Sequence, residues 1–520
     1  MNRRIILAAL LFGSVLCMFG AYMVNTESGA IHVSNIVIPG ETQISGVLYK
    51  PKWVTENAPG VLLAHGITNS KEPLSGLALE LAKHGYVALS IDLAGHGQSS
   101  GSLSGSDPSL GVAQAAEYLA DLPFVSGDIG LVGHSLGAGA AYYAAYHNVS
   151  ESGLVLIGGG VGVNYYVGSE GFLPPQPMNV LVIIGRYDVL FDESLMERLM
   201  ITLPVNTPEL DQRKGTPEHG TMTMLLMPAT SHLFEPIDPT VVEAAVQWFN
   251  TINGKETEQP QTYLIREALI GVALILFIAA MVLAPTLNTS TVPQTLFNGR
   301  RGAIYGIIGF ITFLPAMQLG NLFPFPPQIF GSSIAWWLLV WGAVMYLIQR
   351  IWGKETDLFP RISGHDIGLG FAVFLSSYLF CMMLEAVFGF GFRLLVPIMR
   401  VLTTRRLQTF IMYIPFMLIH FYSESNWFRE QTGNIRGLLL SKTGIFAAVL
   451  LLQYGGFYLL NTVFVGGFIG FILEFMMAIV PMLLISGLIT TWSQQNNRIA
   501  VSVILNALIF SWIAAGLFPY

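Results

Sequence analysis

The chain has 520 residues, of which 53% are hydrophobic and only 11% are charged, and its formal net charge is -7 at pH 7. Soluble domains contain about 25% charged residues, so the excess of apolar residues predicts that much of the chain lies in lipid. The negative net charge gives no electrostatic basis for binding nucleic acid. The two cysteines, Cys17 and Cys381, lie in separate apolar runs, which excludes a disulfide framework.

The first element is an uncharged apolar run at residues 5–24, preceded by two arginines. A helix needs about 20 apolar residues to cross the hydrocarbon core, so residues 1–24 are predicted to be a transmembrane anchor. The alternative is a signal sequence with its cleavage site at Ser28-Gly29-Ala30. In both cases the positive-inside rule keeps the arginines in the cytoplasm and places residues 25–260 outside it.

Residues 25–250 are predicted to form a soluble α/β domain. Five short, continuous apolar runs indicate strands that are buried on both faces. These runs occupy residues 58–66, 86–92, 128–135, 152–160 and 178–188. Patterns typical of amphipathic helices lie between or after them, at residues 73–85, 109–123, 192–203 and 238–250. The alternation predicts a mostly parallel sheet with helices on both faces.

The sequence GHSLG, from Gly133 to Gly137, lies between a predicted strand and a predicted helix. A G-x-S-x-G pattern in this setting is typical of a nucleophile elbow. Because Gly133 and Gly137 lack side chains, the strand and the helix can approach each other closely. The turn should expose the Ser135 hydroxyl, and the amide of Leu136 should face the same point from the helix N-terminus. The alternative is a glycine-rich turn without a catalytic role.

A serine hydroxyl is a weak nucleophile until a base removes its proton, and the usual base is a histidine oriented by a carboxylate. With a nucleophile elbow, the order along the chain is serine, acid, histidine. Asp188 ends a predicted strand and His232 precedes a predicted helix, which makes them the candidate acid and base. Three alternatives stay open: Asp192 as the acid, and His96 or His219 as the base.

Residues 61–101, VLLAHGITNSKEPLSGLALELAKHGYVALSIDLAGHGQSSG, resemble the start of an α/β-hydrolase of the monoacylglycerol lipase or serine aminopeptidase type. With GHSLG, GRYD and TSH, the resemblance covers about residues 30–250. It implies the α/β-hydrolase fold and a second oxyanion amide from Ile67, the residue after the His-Gly turn, paired with that of Leu136. The segment 160–178 is shorter than the cap usual in such lipases, so we expect a small lid.

A polar linker is predicted at residues 251–262, followed by an all-α, multi-pass transmembrane domain over residues 263–520. Its eight apolar segments occupy residues 264–284, 302–320, 330–349, 367–388, 407–422, 443–460, 463–490 and 498–518. Basic residues after the first and third segments indicate cytoplasmic ends. Four later arginines lie on the wrong side under simple alternation: Arg393, Arg400, Arg405 and Arg406. A helix break with a re-entrant segment at 388–392 is one explanation, and the topology after residue 366 stays open.

Four ionisable residues lie at membrane depth or close to it: Glu385, Arg393, His420 and Glu474. Charged groups there are costly, and they usually have buried partners or face cavities. Both a structural role and a role in binding or passage therefore stay open for them.

The sequence as a whole predicts a multi-pass protein of the cell membrane whose α/β domain lies outside the cytoplasm. Ser135 should attack a carboxylic ester, with His232 as base and Asp188 as its orienting acid, and this chemistry needs no metal or cofactor. The expected partners are the bilayer and a membrane lipid or another amphiphilic ester, and no nucleic acid. The alternatives are a serine peptidase or amidase, and a transport or scaffold protein whose hydrolase-like domain only binds.

Overall fold

The computed structural model describes residues 2–146, 151–159, 179–188, 211–255, 260–284, 299–352, 363–392, 399–428, 485–490, 492–493 and 498–520. It divides into two compact units. The described residues of the sheet unit lie within Met18–Gly271 and Pro519–Tyr520, and those of the helical unit lie within Met1–Cys17, Val272–Phe392 and Ile398–Phe518. Several predicted features lie outside the described residues: the lid segment 160–178, the helix at 192–203 with Asp192, the segment 443–460, most of the segment 463–490, Arg393 and Glu474.

An eight-stranded sheet forms the centre of the sheet unit. Its strands are β1 Ile31–Ile38, β2 Ile44–Pro51, β3 Ala58–Ala64, β4 Val87–Ile91, β5 Val125–His134, β6 Glu151–Ile157, β7 Val180–Ile183 and β8 Thr223–Leu226. They lie in the order β1-β2-β4-β3-β5-β6-β7-β8, and all pairs after β4 in this order are parallel. The mostly parallel sheet confirms the predicted α/β-hydrolase fold, and β1 and β2 add an antiparallel hairpin that the apolar runs do not predict.

Along the sequence, helices lie before, between and after the strands of this sheet. They are α1 Arg3–Asn25, α2 Ser75–Lys83, α3 Val112–Ala120, α4 Leu136–Tyr146 and α5 Pro239–Ile252. The sequence explains the start of α5, because the Asp238 side chain accepts hydrogen bonds from the amides of Thr240 and Val241 and a proline occupies the first helical position. α2, α3 and α5 lie within or close to the predicted segments 73–85, 109–123 and 238–250.

The central strands are buried on both faces, as their continuous apolar runs predict. Every residue of β4 is buried, and one core cluster joins Leu77 of α2, Ala88 of β4 and Phe249 of α5. Burying an aliphatic or aromatic side chain of this kind stabilises a fold by about 1.5–3 kcal/mol. This core holds the carboxyl ends of the parallel strands at one edge, where α/β folds assemble their sites.

The sheet unit includes the start of the helix that follows the predicted linker. Residues 251–252 are still part of α5, and the next helix, α6 Tyr263–Leu283, begins against α2. The Glu80 carboxylate accepts hydrogen bonds from the amides of Thr262 and Tyr263, at 2.7 and 2.9 Å. The Tyr263 ring is fully buried, and a Cβ on Gly76 would lie 2.8 Å from it. The helix therefore begins as part of the folded sheet unit.

A buried arginine connects the same two elements near α1. Nη1 of Arg266 donates to the side-chain oxygen of Asn25 at 2.8 Å, and the Tyr49 hydroxyl donates to that same oxygen at 3.2 Å. Arg266 is 3% exposed and is paired with Glu267. These contacts explain why the compact unit extends from Met18 to Gly271, beyond the predicted range 25–250.

Residues 519–520 also pack in the sheet unit. The amide of Tyr520 donates to the carbonyl of Gly95 at 3.2 Å, and the amide of Leu103 donates to the carbonyl of Tyr520 at 2.7 Å. The loop after β4 therefore pairs its backbone with a residue that lies more than four hundred positions later in the sequence.

The helical unit contains most of the long apolar helices. Its described helices, besides parts of α1 and α6, are α7 Gly299–Leu322, α8 Gly331–Trp352, α9 Gly364–Phe388, α10 Thr404–Trp427 and α11 Ile499–Leu517. Within the described ranges, five helices are long and apolar enough to cross a membrane: α1, α6, α8, α9 and α11. α7 would be a sixth, bent by 42° at its proline. Several membrane-crossing helices are therefore present by length and composition, as predicted.

Two of the arginines that disturb the predicted topology are buried. Nη1 of Arg406 donates to the carbonyls of Ala515, Gly516 and Phe518, at 2.6, 3.2 and 3.0 Å. Arg400 also donates to the carbonyl of Gly516, at 3.2 Å. The last carbonyls of a helix have no partner within the helix and carry a partial negative charge. These arginines therefore cap the end of α11, and they are not loop charges of the kind that the positive-inside rule counts.

A second buried polar group lies between α7, α8 and α10. The Tyr305 hydroxyl is 3.2 Å from Oε1 of Glu424 and 3.3 Å from Nε2 of His420. Nδ1 of His420 lies 3.2 Å from the carbonyl oxygen of Leu338. Of the four ionisable residues singled out in the sequence, His420 thus has polar neighbours on both ring nitrogens, while Glu385 is half-buried in α9.

Candidate active site

The GHSLG turn connects β5 directly to α4. Ser135 is the single residue between His134 at the end of the strand and Leu136 at the start of the helix. Its φ is 54°, in the left-handed region that residues other than glycine rarely adopt. The amide of Ser135 donates to the carbonyl of Ile157 in β6, at 2.8 Å. The neighbouring strand therefore holds the serine in a strained conformation of the kind found at functional sites.

Both glycines of the turn are required by close backbone contacts. A Cβ on Gly133 would overlap the carbonyl of Gly137, and a Cβ on Gly137 would overlap the carbonyl of Ala64 at the end of β3. The helix can start directly above the strand only because both positions lack a side chain. The close approach that the sequence predicts is present at both positions.

Three predicted side chains meet at this edge of the sheet. Nε2 of His232 lies 2.9 Å from Oγ of Ser135, and Nδ1 of His232 lies 2.8 Å from Oδ2 of Asp188. A carboxylate can only accept, so Nδ1–H donates to Asp188 and Nε2 can accept the serine proton. His232 and Asp188 are 7% and 8% exposed, and a buried setting strengthens such charge-assisted hydrogen bonds.

The alternative bases lie elsewhere. His96 is buried in the loop after β4, with its ring 5.1 Å from that of His65. His219 lies in a short helical turn, and its Nδ1 is 2.9 Å from the Thr216 hydroxyl. The alternative acid, Asp192, lies outside the described residues. Among the candidate bases, His232 is the one that the structure brings to Ser135.

Backbone hydrogen bonds align the turn that carries Asp188 with the turn that carries His232. The amide of Arg186 donates to the carbonyl of Pro228, and the amide of Tyr187 donates to the carbonyl of Thr230, at 2.8 and 3.0 Å. The segments after β7 and β8 thus continue the pairing of these two strands beyond the sheet. The acid and the histidine are consequently presented side by side.

The His65-Gly66 turn lies against the serine. A Cβ on Gly66 would be 3.1 Å from Cβ of Ser135 and 2.9 Å from Nδ1 of His134. Ile67 therefore follows a residue whose backbone touches the elbow, and Leu136 is the first residue of α4. Amides at these positions are suited to face an oxyanion that forms next to Ser135.

A buried ion pair that the sequence analysis did not identify supports this loop. Nζ of Lys71 lies 2.8 Å from Oδ2 of Asp92, and both side chains are almost fully buried. The same ammonium donates to Ser45 and Gln98, and Asp92 also accepts from the amides of Lys71 and Gln98. Each N–H of the ammonium has a partner, which is the condition under which the attraction of a buried pair can offset the cost of removing it from water. It joins the loop after β3 to the loop after β4.

Glu235 is a second side chain that the sequence analysis missed. It is fully buried one helical turn after His232, and its Oε1 accepts a hydrogen bond of 2.6 Å from the amide of Gly185. Its Oε2 lies 3.6 Å from Nδ1 of His232 and 3.4 Å from Nε2 of His134. Burial raises the pKa of Glu235 to about 8, with opposing effects of the charges on His232 and Asp188.

His134 faces the same point from the end of β5. Its Nε2 lies 3.1 Å from the carbonyl oxygen of His232, to which it can donate, and the two rings are 4.8 Å apart. Burial, followed by repulsion from His232, lowers the pKa of His134 well below its ordinary value of 6.5, so the ring is neutral. A neutral His134 places no competing charge beside the catalytic histidine candidate.

His134, His232 and Glu235 offer three metal-ligand atoms within 4.8 Å of one another. However, Nε2 of His232 faces the serine hydroxyl and Nδ1 faces Asp188. A metal would have to displace one of these partners. The donor set therefore fits a hydrogen-bonded catalytic cluster better than a metal centre.

Known proteins resemble the sheet unit. Residues 55–206 match a family model described as "Serine aminopeptidase, S33". Similar structures include an esterase from Pyrococcus furiosus, at 16% identity over 43% of this chain and 94% of that chain, with a TM-score of 0.33. Dienelactone hydrolase from Anabaena variabilis matches at 21% identity over 42% of this chain and 97% of that chain, with a TM-score of 0.31.

Est1E from Butyrivibrio proteoclasticus, whose structure contains ferulic acid, matches at 17% identity over 42% of this chain and 100% of that chain, with a TM-score of 0.33. The comparison with curated proteins found no match. No family is recognised for the membrane half. The resemblance predicted from the motifs is thus confirmed: residues 55–206 match the serine aminopeptidase S33 model, and the sheet unit has the α/β-hydrolase fold.

Proposed function

We propose that this protein is a serine hydrolase in which Ser135 is the nucleophile, His232 the general base and Asp188 the acid that orients it. The observation that carries the proposal is the continuous hydrogen-bonded line from Oγ of Ser135 through His232 to Asp188, at 2.9 and 2.8 Å. These distances are within the reach that proton transfer from a nucleophile to its base requires.

In the proposed reaction, Oγ of Ser135 attacks the carbonyl carbon of an ester as its proton passes to Nε2 of His232. Asp188 stabilises the resulting imidazolium through Nδ1–H. His232 then returns the proton to the departing alcohol oxygen, and an acyl-serine is left. A water molecule, deprotonated by His232, attacks the acyl carbon. The carboxylic acid leaves as Ser135 regains its proton.

The amides of Leu136 and Ile67 are proposed to bind the oxyanion of both tetrahedral intermediates. This assignment is supported by the position of Leu136 at the first residue of α4 and by the closeness of Gly66 to Ser135, since a Cβ on Gly66 would lie 3.1 Å from that of Ser135. Donors that are fixed before the reaction need no reorganisation when the charge develops, and each one typically contributes about 10²–10³ in rate.

We propose that the substrates are esters of membrane lipids or other amphiphiles, cleaved at the outer face of the cell membrane. α1 and α6, which precede and follow the α/β domain in the sequence, are apolar enough to cross a bilayer. Tyr187 and Phe234, neighbours of the acid and the base in sequence, are 61% and 48% exposed and offer aromatic surface to an acyl chain. Each methylene kept away from water contributes about 0.8 kcal/mol.

The test uses the full-length protein in lipid vesicles. It should react with a fluorophosphonate probe and hydrolyse acyl esters, and Ser135→Ala should abolish both activities because no other nucleophile replaces the hydroxyl. Retention of ester hydrolysis by Ser135→Ala would contradict the proposed nucleophile. A clear preference for short soluble esters over long-chain esters in the vesicle would contradict only the lipid assignment.

A second candidate is peptide hydrolysis, which the family description "Serine aminopeptidase, S33" favours. The same triad can cleave an amide, with His232 protonating the departing amine. Peptides with a free amino terminus should be compared with acyl esters by their kcat/KM values on the same preparation. Much higher values for the peptides would favour this candidate over the esterase.

A further inference from the structure

Two carboxyl groups face Nδ1 of His232. Oδ2 of Asp188 lies 2.8 Å from this nitrogen and Oε2 of Glu235 lies 3.6 Å from it. The two carboxyl groups come from different turns, one after β7 and the other after β8, and they face the same ring nitrogen. A serine triad needs one negative charge at this nitrogen, so the presence of a second carboxyl group requires an explanation.

The chain makes specific room for this second carboxyl group. A Cβ on Gly158, at the end of β6, would overlap Oε2 of Glu235, and a Cβ on Gly185 would lie 3.1 Å from Oε1. Gly158 also has a φ of 52°, which favours glycine. Two glycines from different strands therefore form a slot that the carboxyl group of Glu235 fills.

The protonation of Glu235 follows from its neighbours. Oε1 accepts from the amide of Gly185, whereas no N–H or O–H of the described residues donates a hydrogen bond to the buried Oε2. The titratable groups that face it are Asp188 after β7, His134 at the end of β5 and His232 on its own turn. A buried oxygen without a donor, beside another carboxylate, is stable only if it carries a proton that it can donate.

We infer that Glu235 is a positioning residue of the triad: its carboxyl group shares one proton with that of Asp188, so that the pair presents a single negative charge to His232. The inference rests on the proposed function. Two full charges beside the imidazole would hold it protonated and remove the base. With one shared proton, the O–H of Glu235 donates to Asp188, and Asp188 keeps its acceptor oxygen directed at Nδ1–H.

This arrangement implies that the two acids can partly replace each other. In Asp188→Asn the acid carries no charge, so the repulsion that adds to burial in favouring protonation of Glu235 disappears, and the asparagine amide can donate to Oε2 instead. Glu235 then ionises and supplies the negative charge at Nδ1 from its longer distance. Glutamine at 235 cannot do so, although it keeps the size of the side chain and the hydrogen bonds to its slot.

The experiment is a double-mutant cycle on the full-length protein with a short chromogenic ester, combining Asp188→Asn and Glu235→Gln. We expect Glu235→Gln alone to lower kcat/KM at pH 7 by about threefold, because the neutral amide keeps the single charge at Asp188 but replaces the O–H that positions it. In the Asp188→Asn background the same change should lower kcat/KM by at least about tenfold, since no charge is left. Glu243→Gln, an exposed carboxyl of α5, is the matched control and should have no effect in either background.

The pH profile gives an independent readout. Above pH 8 the wild-type pair loses its shared proton, the second negative charge holds the imidazole protonated, and kcat/KM should fall. Glu235→Gln should reach a single plateau. Equal effects of Glu235→Gln in both backgrounds, together with an unchanged profile, would overturn the inference and leave Glu235 a packing residue. Full activity in Ser135→Ala or in Asp188→Asn would instead overturn the proposed triad itself, so the two failures are distinguishable.

Discussion

His134 and Glu235 are buried next to each other with their charged forms disfavoured. Burial lowers the pKa of His134 well below 6.5 and raises the pKa of Glu235 from 4.5 to about 8. Folding therefore favours the neutral form of both side chains. A group with a depressed pKa contributes stability that is lost as the pH falls, and a group with a raised pKa contributes stability that is lost as the pH rises.

These opposite signs predict a stability optimum at weakly acidic pH. The His134 contribution is lost as the pH falls below 6.5, and the Glu235 contribution is lost as the pH rises from about 4.5 to about 8, so the two offset each other between 4.5 and 6.5. Net stability should therefore decline above pH 6.5 through Glu235 and below pH 4.5 through His134. Melting temperatures of the detergent-solubilised protein across this range check the expectation. Glu235→Gln should flatten the alkaline decline and His134→Gln the acid decline. Parallel curves for all three proteins would contradict the assigned signs.

Among the individual residues of the candidate site, the sequence identifies those that belong to motifs. Ser135 follows from G-x-S-x-G, and Asp188 and His232 follow from their positions after apolar runs. Glu235 does not belong to a motif, although its spacing from His232 puts both on one helical turn. Its slot depends on Gly158 and Gly185, which are distant in sequence. Pairings of this kind depend on strand order, which a single sequence does not reveal.

At the scale of elements, the contact between β5 and α4 depends on the absence of a side chain at Gly137. In Gly137→Ala the new methyl would overlap the backbone carbonyl of Ala64, so strand and helix must separate. We expect a loss of about 1–3 kcal/mol in stability, and a loss of activity of about 100-fold if Ser135 moves by an ångström. Probe labelling and melting temperature measure the two effects.

Gly139, one residue beyond Ala138 in the same helix, is the matched control. A Cβ there meets nothing within 4 Å. Gly139→Ala should keep full activity and gain up to about 1 kcal/mol in stability, because alanine favours the helix. A comparable loss of activity in both variants would show that the close backbone contact is not the cause.

The helical unit offers a similar comparison of two adjacent arginines. Arg406 is buried and donates to three carbonyls at the end of α11, whereas Arg405 is exposed. Arg406→Gln should destabilise the solubilised protein by about 2 kcal/mol, because hydrogen bonds from a charged donor are lost. Arg405→Gln should change the melting temperature little. The reverse order would contradict the capping role of Arg406.

Elements with a strong pattern are predictable from the sequence, and those defined by pairing are not. β3 to β7 appear as continuous apolar runs because both of their faces are buried. β1 lies at the edge of the sheet and is partly exposed, and β2 is mostly buried but its apolar residues are interrupted by Ser45, Gly46 and Lys50, so neither strand gives such a run. Arg400 and Arg406 do not fit the charge pattern because their side chains bind carbonyls at the end of α11. That helix lies about a hundred residues later in the sequence, so the pattern alone cannot predict the contact.

At the scale of the whole molecule, the positive-inside rule predicts that the α/β domain lies outside the cytoplasm. In a background without Cys17 and Cys381, Glu243→Cys on α5 should react with an impermeant maleimide on intact cells. Arg300→Cys at the start of α7 should react only after permeabilisation. Both positions are exposed, so accessibility differs only through the membrane. The opposite labelling pattern would place the α/β domain in the cytoplasm.

The pairing of Tyr520 with Gly95 and Leu103 has a consequence for biosynthesis. A ribosome adds about 5–20 residues per second, so the loop after β4 waits for tens of seconds until its partner has been made. All the helices from α6 to α11 are translated in that interval. A product terminated early in its second half would still contain Ser135, Asp188 and His232, but Gly95 and Leu103 would lack these backbone partners. These hydrogen bonds of the α/β domain thus form only on chains in which the helices from α6 to α11 have already been translated.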